Sequence, residues 1–433
     1  MPPFPERPAA GPGQIVEAVV EKLVPGGDGL ARLDGKVLFI PFTLPGEKVR
    51  ARVVEARRDF SRAVVVEILE PSPDRVTAPC PVFGRCGGCD WQHISREAQL
   101  RHKVALADDA LRRIGGLSFP GLSIEAGEPW RYRNRVQIHR DAEGRAGFLG
   151  RSSHALVPVA DCPVARPAFG LLLDAAPRRG PAGRTGRHTA WSHPLPEGGE
   201  FLASREPGAT GPGIVVTGLP GHAGPEPLPA GALAAARRAP AAREPGAGEF
   251  VAVPLAGKIL RFDLNGFFQS NLEMAARLIP YALDGLSGSL ALDLYCGVGL
   301  FGAFLADRFE RVLAVEENPD ALACAQRNIG DTHDFLRGRV EDLLTAERGP
   351  LASARPDAIV VDPPRPGLDR SVADFLVAKR PPRLVYVSCN PATLARDLKL
   401  LLAAGFVLDD LRLFDFYPQT AHIEAVAKLR WKG

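Results

Sequence analysis

The sequence predicts an α/β protein in three parts: an OB-like β-barrel, a central α+β region with a cysteine cluster, and a C-terminal Rossmann-like sheet. Three observations lead to this prediction. Short alternating runs fill residues 14–71, three cysteines lie between residues 80 and 89, and apolar runs alternate with helical segments over residues 266–433. A βαβα order is typical of a doubly wound sheet with helices on both faces. We therefore predict domains at 14–71, 72–265 and 266–433.

The composition is that of an ordinary globular protein with a mildly basic charge. Of 433 residues, 45% are hydrophobic and 24% charged, and the net charge of +3 permits a nucleic-acid partner without requiring one. No apolar run reaches about 18 residues and the first residues lack a signal-peptide pattern, so we expect no membrane span and a cytoplasmic location. In a reducing compartment the 7 cysteines should be metal ligands, catalysts or core residues.

The first region has the pattern of a small closed barrel. Apolar runs at 15–20, 36–40, 48–54 and 63–68 are separated by glycine-containing turns at 26–29 and 44–47. OB-like barrels of this kind often bind nucleic acid. Five arginines could follow a phosphate backbone, although a solvated edge with charges that oppose aggregation explains them equally well; they are Arg50, Arg52, Arg57, Arg58 and Arg62.

A tight group of cysteines follows the barrel. Cys86 and Cys89 have the x2 spacing of a chelate, and the two glycines between them let the backbone wrap around a metal. Cys80 adds a third ligand, and Cys162 is the remaining cysteine outside the C-terminal region. Four thiolates suit zinc and an iron–sulfur cluster, and the spacing does not choose between them.

The rest of the central region carries weaker signals. An amphipathic helix is predicted at 98–114, and basic residues alternate with other side chains at 130–139, a pattern that suits RNA or simply a solvent-facing strand. Residues 175–248 are rich in Ala, Gly, Pro and Arg. We predict loose peripheral loops there, with one edge strand at 213–218.

The C-terminal region places reactive residues where predicted strands end. A strand at 385–387 leads to Cys389, and a strand at 358–361 leads to Asp362 and two prolines. Ligands of open α/β sheets bind at the carboxyl ends of the strands. Cys389 is therefore a candidate nucleophile, whereas by itself it would be read as a buried structural cysteine.

A glycine-rich turn in the same region indicates a nucleoside cofactor. The strand at 289–294 runs into Gly297-x-Gly299, and Glu316 ends the next strand 19 residues after Gly297, a distance that suits hydrogen bonds to ribose hydroxyls. A dinucleotide would want a third glycine, which Gly302 supplies only in a displaced position. The pattern instead looks like the S-adenosylmethionine loop of class I methyltransferases, in which Asp293 can organise the turn.

Over residues 14–433 the chain resembles the RNA uracil-5 methyltransferases, in particular the iron–sulfur branch that modifies 23S ribosomal RNA. The barrel resembles a TRAM domain in its Gly-Gly-Asp-Gly and Leu-Pro-Gly-Glu segments. The other matching motifs are the four cysteines, Phe267-Phe268-Gln269, Asp293-Leu294-Tyr295-Cys296-Gly297, Asp362-Pro363-Pro364-Arg365, Ser388-Cys389-Asn390-Pro391 and Gln419-Thr420-Ala421-His422-Ile423-Glu424.

The resemblance implies a set of cofactors, partners and site residues. It implies S-adenosylmethionine and a [4Fe-4S] cluster held by Cys80, Cys86, Cys89 and Cys162. RNA, most simply ribosomal RNA, is the expected partner, and no obligate protein partner is evident. The implied cofactor residues are Gln269, Tyr295, Glu316 and Asp362, with Cys389 as nucleophile and Glu424 as base.

Methylation of uracil at carbon 5 needs such a pair. A thiolate that adds to carbon 6 raises the electron density at carbon 5, and a base must then remove the carbon 5 proton so that the thiol can leave. The target base must leave its stack, and Phe267 could hold it, although core packing explains this residue nearly as well.

Other functions compete with this interpretation. An amino-group methyltransferase would have an aromatic residue where Arg365 follows the prolines, and a cytosine-5 enzyme would have its cysteine after a proline. A transfer RNA substrate and a non-catalytic RNA-binding assembly factor are further alternatives. Leu300 stands where the ribosomal RNA branch should have asparagine, and Arg339 lies where an amide or acid would face adenine. Residues 175–248 also match the family poorly.

Overall fold

The computed structural model describes residues 11–173, 187–195, 199–205, 214–217, 237–240, 250–344 and 349–432. Its described helices are α1 (Arg96–Ala110), α2 (Gly170–Leu173), α3 (Leu272–Leu283), α4 (Leu300–Leu305), α5 (Pro319–Ile329), α6 (Val340–Leu343), α7 (Pro350–Ser353), α8 (Arg370–Lys379) and α9 (Pro391–Ala403). Within these residues, no helix has the length and apolar character needed to cross a membrane.

The N-terminal strands form a closed barrel in the order β1-β2-β3-β5-β4. The strands are β1 (Ile15–Leu23), β2 (Gly29–Leu33), β3 (Lys36–Ile40), β4 (Lys48–Ala56) and β5 (Phe60–Glu70). The predicted barrel is confirmed, but β2 was missed because its first residue was taken as the end of a turn. Gly29 is required there, because a Cβ atom would lie 2.1 Å from Thr43 Oγ1.

Several of the barrel arginines are ion-paired on the surface. Arg50 contacts Glu17 at 3.3 Å and Glu67 at 2.5 Å, and Arg57 contacts Glu55 at 2.6 Å. Exposed pairs of this kind contribute little stability. They do neutralise charge, so the barrel offers fewer free cations to a phosphate backbone than its arginine count suggests.

The central region forms a seven-stranded sheet in the order β13-β12-β11-β10-β7-β8-β9. Its strands are β7 (Arg135–Arg140), β8 (Ala146–Leu149), β9 (Leu156–Pro158), β10 (Arg187–Pro194), β11 (Glu200–Arg205), β12 (Ile214–Thr217) and β13 (Arg237–Pro240). The prediction of peripheral loops at 175–248 is therefore wrong where the chain is described, because four strands of this sheet lie there. β12 was predicted to be an edge strand, but it pairs with β13, which lies at the edge of the sheet instead. A separate hairpin of β14 (Phe250–Leu255) and β15 (Lys258–Asp263) follows.

The helix predicted at 98–114 is α1, which continues as a π-helical turn, Leu111–Gly115. Gly116 ends it with φ +65°. This helix packs on the C-terminal sheet rather than on the central one, since Ala107 and Leu111 are buried in a core with Leu292 and Ile359. The sequence did not predict that association.

Seven C-terminal strands and one strand of the central region, β6, form an eight-stranded sheet in the order β18-β17-β16-β19-β20-β22-β21-β6. The strands are β6 (Ser123–Glu125), β16 (Gly288–Leu294), β17 (Phe309–Glu316), β18 (Asp334–Arg337), β19 (Ala358–Val361), β20 (Arg383–Ser388), β21 (Phe406–Phe414) and β22 (Glu424–Trp431). The five strands from β18 to β20 are parallel, and β22 is antiparallel to β20 and β21.

Helices cover both faces of this sheet, as predicted. Residues of α3, α4 and α5 share one core with one face, and residues of α1, α8 and α9 share a second core with the other. The strand order reverses between β16 and β19, because the chain moves outward from β16 on one side and returns on the other. Ligands of doubly wound sheets bind at such a switch point.

Candidate active site

A cleft of about 1330 Å³ opens at the carboxyl ends of β16, β17, β19 and β20. It brings together residues that are far apart in the sequence but were predicted to act in one site. All six predicted catalytic and cofactor residues line it: Gln269, Tyr295, Glu316, Asp362, Cys389 and Glu424. The sequence analysis did not assign a role to Arg133, Tyr417 or His422, which also line it.

The glycine turn after β16 has the geometry that its sequence predicts. Gly297 and Gly299 have φ values of +55° and +79°, which residues with a side chain rarely adopt. Asp293 organises the turn as expected, because its Oδ2 accepts a hydrogen bond of 2.7 Å from Gly302 N. Gly302 serves helix packing, since a Cβ there would lie 2.4 Å from Ile329 Cδ1.

The acid that ends β17 is tied to this turn. Glu316 Oε2 accepts from Gly297 N at 3.0 Å and Oε1 accepts from Asn318 N at 2.8 Å. The carboxylate is therefore held beside the turn, with further lone pairs available to ribose hydroxyls. Tyr295 lies in the left-handed region at φ +63° and donates to Glu341 Oε1 at 2.8 Å.

One buried polar atom of the cleft lining lacks a partner among the described residues. Gln269 Oε1 is buried without a hydrogen bond. A buried acceptor without a donor is costly, so this atom is suited to a ligand that brings a donor. A nucleoside with ribose hydroxyls and an amino acid moiety, as in S-adenosylmethionine, has such donors, and the residues present fit it.

Strand register places Cys389 opposite Glu424. Antiparallel β20 and β22 pair Ser388 with Ala425. The residues beside this pair are Cys389, which follows Ser388, and Glu424, which precedes Ala425. Cys389 is held at the start of α9, where Asn390 Oδ1 accepts from Ala392 N at 3.1 Å and Asn390 Nδ2 donates to Arg365 O at 3.1 Å. The Cys389 thiol and the Glu424 carboxyl group thus line one cleft and are near enough to interact electrostatically.

The electrostatics of this pair favour the neutral forms of both groups. Burial, followed by the negative charges of Glu424 and Asp362, raises the pKa of the Cys389 thiol to about 11. Burial and Asp362 also raise the pKa of Glu424 well above its usual range, and Arg365 opposes both shifts. Burial alone raises the pKa of Asp362 to about 7. Such clustered shifts are common at catalytic sites.

Two adjacent phenylalanines have opposite environments. Phe268 is 2% exposed and stacks on Phe262 with ring centroids 4.4 Å apart. Phe267 is 69% exposed and lines the cleft, so core packing does not explain it. Its ring is available to stack on a ligand.

The four predicted metal ligands come together beside the cleft, outside regular helices and strands. The pKa of each thiol is raised, and burial is the main cause. Cys162 also interacts electrostatically with each of the other three cysteines. Backbone amides point at Cys80, Cys86 and Cys162, as they do around bound thiolates. None of the four forms a disulfide.

This donor set suits a metal site whose geometry is not closed. Among the described residues, no group of three or more His, Cys, Asp or Glu side chains is already arranged to enclose an ion. Side chains that bind a metal need not lie at its coordination distances before the metal is present. The four thiols have the chemistry that a thiolate-bound metal group needs, and metal binding by them stays a prediction.

Comparisons with known proteins agree with this fold. Residues 10–66 match the model of the TRAM domain, and residues 251–431 match that of the tRNA (Uracil-5-)-methyltransferase family. An uncharacterized RNA methyltransferase of Halalkalibacterium halodurans is 34% identical over 97% of this chain and 97% of its own. The 23S rRNA (uracil(1939)-C(5))-methyltransferase RlmD of Halomonas elongata is 34% identical over 98% of this chain and 91% of its own.

The chain belongs to the RNA uracil-5 methyltransferase family and is an S-adenosylmethionine-dependent RNA methyltransferase. A solved structure shares the fold along nearly the whole chain. It is the tRNA (uracil-54, C5)-methyltransferase of Pyrococcus abyssi in complex with S-adenosyl-L-homocysteine, with a TM-score of 0.69 and 24% identity, covering 96% of this chain and 100% of the other.

Proposed function

We propose that the protein methylates carbon 5 of a uridine in 23S ribosomal RNA through a covalent adduct with Cys389. The observation that carries the proposal is the register of β20 and β22, which places a thiol and a carboxyl group close together in the cleft. The ribosomal RNA assignment rests on the similarity to RlmD over 98% of the chain. An RNA substrate also favours a cytoplasmic location.

In the proposed reaction, the residues of the cleft act in order. S-adenosylmethionine supplies the methyl group, and Gln269, Tyr295, Glu316 and Asp362 bind it. The Cys389 thiolate adds to carbon 6 of the uracil, and the electron density that this places on carbon 5 forms the new bond to the methyl group as the bond between methyl and sulfonium sulfur breaks, which leaves S-adenosylhomocysteine. Glu424 then accepts the carbon 5 proton, the electrons of that C–H bond restore the double bond, and the bond between carbon 6 and sulfur breaks.

The cysteine site and the barrel have supporting roles in this proposal. We assign a [4Fe-4S] cluster to Cys80, Cys86, Cys89 and Cys162. Four protein thiolates leave the cluster no open position for chemistry, so it would stabilise the segment beside the cleft. The barrel at 14–71 would bind RNA and the region at 72–265 would hold the cluster, while the region at 266–433 performs the transfer. Exposed Phe267 would stack on the base that enters the cleft.

The substrate is tested by methylation of unmodified transcripts. Purified protein with labelled S-adenosylmethionine should methylate a 23S ribosomal RNA transcript much faster than transfer RNA, and sequencing should locate one 5-methyluridine. Faster methylation of transfer RNA would show that transfer RNA, and not ribosomal RNA, is the substrate. RNA binding without methyl transfer to either substrate would leave an assembly factor.

The catalytic pair is tested by trapping the adduct. In Glu424→Gln the thiolate can still add and the methyl group can still transfer, but the carbon 5 proton has no acceptor. A covalent complex of enzyme with methylated RNA should accumulate and run as a slow band on a denaturing gel. The band should require S-adenosylmethionine and should be absent from the double variant with Cys389→Ala. Normal turnover of Glu424→Gln would show that another group is the base.

A further inference from the structure

We propose that Gln99, on the inner face of α1, is a positioning residue that holds the loop before Glu424 and thereby keeps this base opposite Cys389. The inference rests on the catalytic roles proposed above for those two residues. Gln99 is 1% exposed, and no step of the proposed mechanism uses it directly.

The loop 415–423 joins β21 to β22 and leads directly into Glu424, which pairs with Phe414 at the start of β22. It also carries Tyr417 and His422 into the cleft. Gln419 in this loop has φ +66°, a conformation that a residue with a side chain rarely adopts unless its surroundings hold it. The loop therefore depends on tertiary contacts for its shape.

Gln99 supplies those contacts at Gln419. Its Oε1 accepts from Gln419 N at 3.0 Å, and its Nε2 donates to Gln419 Oε1 at 2.9 Å. The carbonyl oxygens of Ile94 at 2.9 Å and Trp91 at 3.2 Å also accept from this Nε2, so its two N–H groups are shared among three acceptors. Because backbone groups contact both the oxygen and the nitrogen of the Gln99 amide, they determine its orientation. Gln419 is itself buried, with 2% of its surface exposed.

Neighbouring residues hold the rest of the loop to the N-terminal half of the chain. Lys103, one turn further along α1, pairs with buried Asp415 and donates to Tyr417 O at 3.0 Å. The amides of Asp90 and Trp91, which directly follow Cys89, donate to Gln419 O at 3.0 and 2.9 Å. Loss of Lys103 would leave buried Asp415 with Arg96 as its ion-pair partner and without one of its two cations, which threatens folding, so Gln99 is the better residue to test.

Removal of the Gln99 amide should affect one chemical step more than the others. It leaves Gln419 N and the Gln419 amide without partners, so the loop and the start of β22 can shift. A misplacement of about 1 Å can reduce a rate about a hundredfold. Addition of Cys389 and methyl transfer do not use Glu424, whereas removal of the carbon 5 proton does. The methylated adduct should therefore accumulate.

The test compares Gln99→Met, which has a similar volume and good helix propensity, with the wild-type protein as full chains. We expect methylated RNA to be released about ten- to a hundredfold more slowly, an unchanged KM for S-adenosylmethionine, and the slow covalent band described for Glu424→Gln. The matched control is Ser192→Ala, which removes a buried hydrogen bond of 2.7 Å to Glu200 in the central sheet. It should release RNA normally and show no band.

A second variant covers failure of the first to fold. In Gln419→Asn the new asparagine can adopt the positive φ and keep the backbone contacts of this position. Its shorter side chain moves the amide away from Gln99, so this variant should show the same band. If both variants lose activity without the band while Glu424→Gln shows it, Gln99 is merely structural and the inference is wrong. If Glu424→Gln itself shows no band, the proposed base is wrong, and the inference falls with it.

Discussion

The cleft and the cysteine site lie side by side but are built in different ways. Cys389 directly follows β20 and Glu424 begins β22, and the backbone pairing of these two strands brings the thiol and the carboxyl group close together. Cys80, Cys86, Cys89 and Cys162 lie on turns and irregular segments, and their thiols are near one another without the geometry of a closed metal site. Backbone hydrogen bonds form one site, whereas the other depends on side chains that repel one another once ionised.

This difference predicts which of the two sites, the cleft or the cysteine site, depends on its ligand for its structure. Strand register is determined by the folded sheet, so the cleft is formed before substrate arrives. Thiolates on loops are brought to coordination distance by the metal itself, and metal binding then contributes to folding. Substitutions in the cleft should therefore change activity with little effect on stability, while substitutions in the cysteine site should change both.

Cys389→Ala should have the largest effect on activity. No adduct can form, so methyl transfer should fall below detection, while RNA binding and thermal unfolding stay close to those of the wild-type protein. Activity is measured with labelled S-adenosylmethionine and binding by filter retention. Cys324→Ala removes another thiol from the same domain and should retain activity. Methyl transfer by Cys389→Ala would refute covalent catalysis by this residue.

Cys86→Ser should remove the metal and lower stability. Anaerobically purified wild-type protein should be brown and contain about four irons per chain, and the variant should lose both. Hydrogen exchange should accelerate over residues 72–165, because the loops lose their common anchor, and Cys324→Ser should cause neither change. A colourless wild-type protein with stoichiometric zinc would show that the four cysteines bind zinc and not an iron–sulfur cluster.

The rate should rise with pH. In the proposed mechanism the Cys389 thiolate is the nucleophile, and the raised pKa of this thiol, about 11, leaves only a small fraction of it ionised near neutrality. Each pH unit should therefore raise kcat/KM about tenfold between about pH 7 and pH 9. The raised pKa of Glu424 acts in the same direction, because a base must be deprotonated. A flat profile would show that substrate binding ionises the thiol or that a step without proton dependence limits the rate.

Glu316→Ala should have the smallest of these effects. Loss of a charge-assisted hydrogen bond to ribose costs about 1.5–3 kcal/mol, so the affinity for S-adenosylmethionine should fall about ten- to a hundredfold. Calorimetry measures this directly. Glu310→Ala changes an exposed acid on the same strand that does not line the cleft, and it should bind normally. Equal binding by both variants and the wild-type protein would remove Glu316 from the cofactor site.

Much of the fold could be predicted because the relevant signals are local. Apolar runs ending in glycine, proline or a polar residue located β16, β17, β19 and β20, and Asp293 was expected to organise the turn that it does contact. The strands at 187–194 and 200–205 were missed because few apolar alternations mark them, and pairing with neighbouring strands stabilises them instead.

The sequence by itself determined which chemical groups the protein carries: a thiol after a strand, an acid after the second strand, and a cluster of cysteines. Only the tertiary structure decided which of them meet. Cys389 lies near Glu424 because two strands pair in one register, and Gln99 reaches Gln419 across 320 residues of chain. Such contacts depend on long-range packing, and local sequence patterns do not encode the distance between segments that are far apart along the chain.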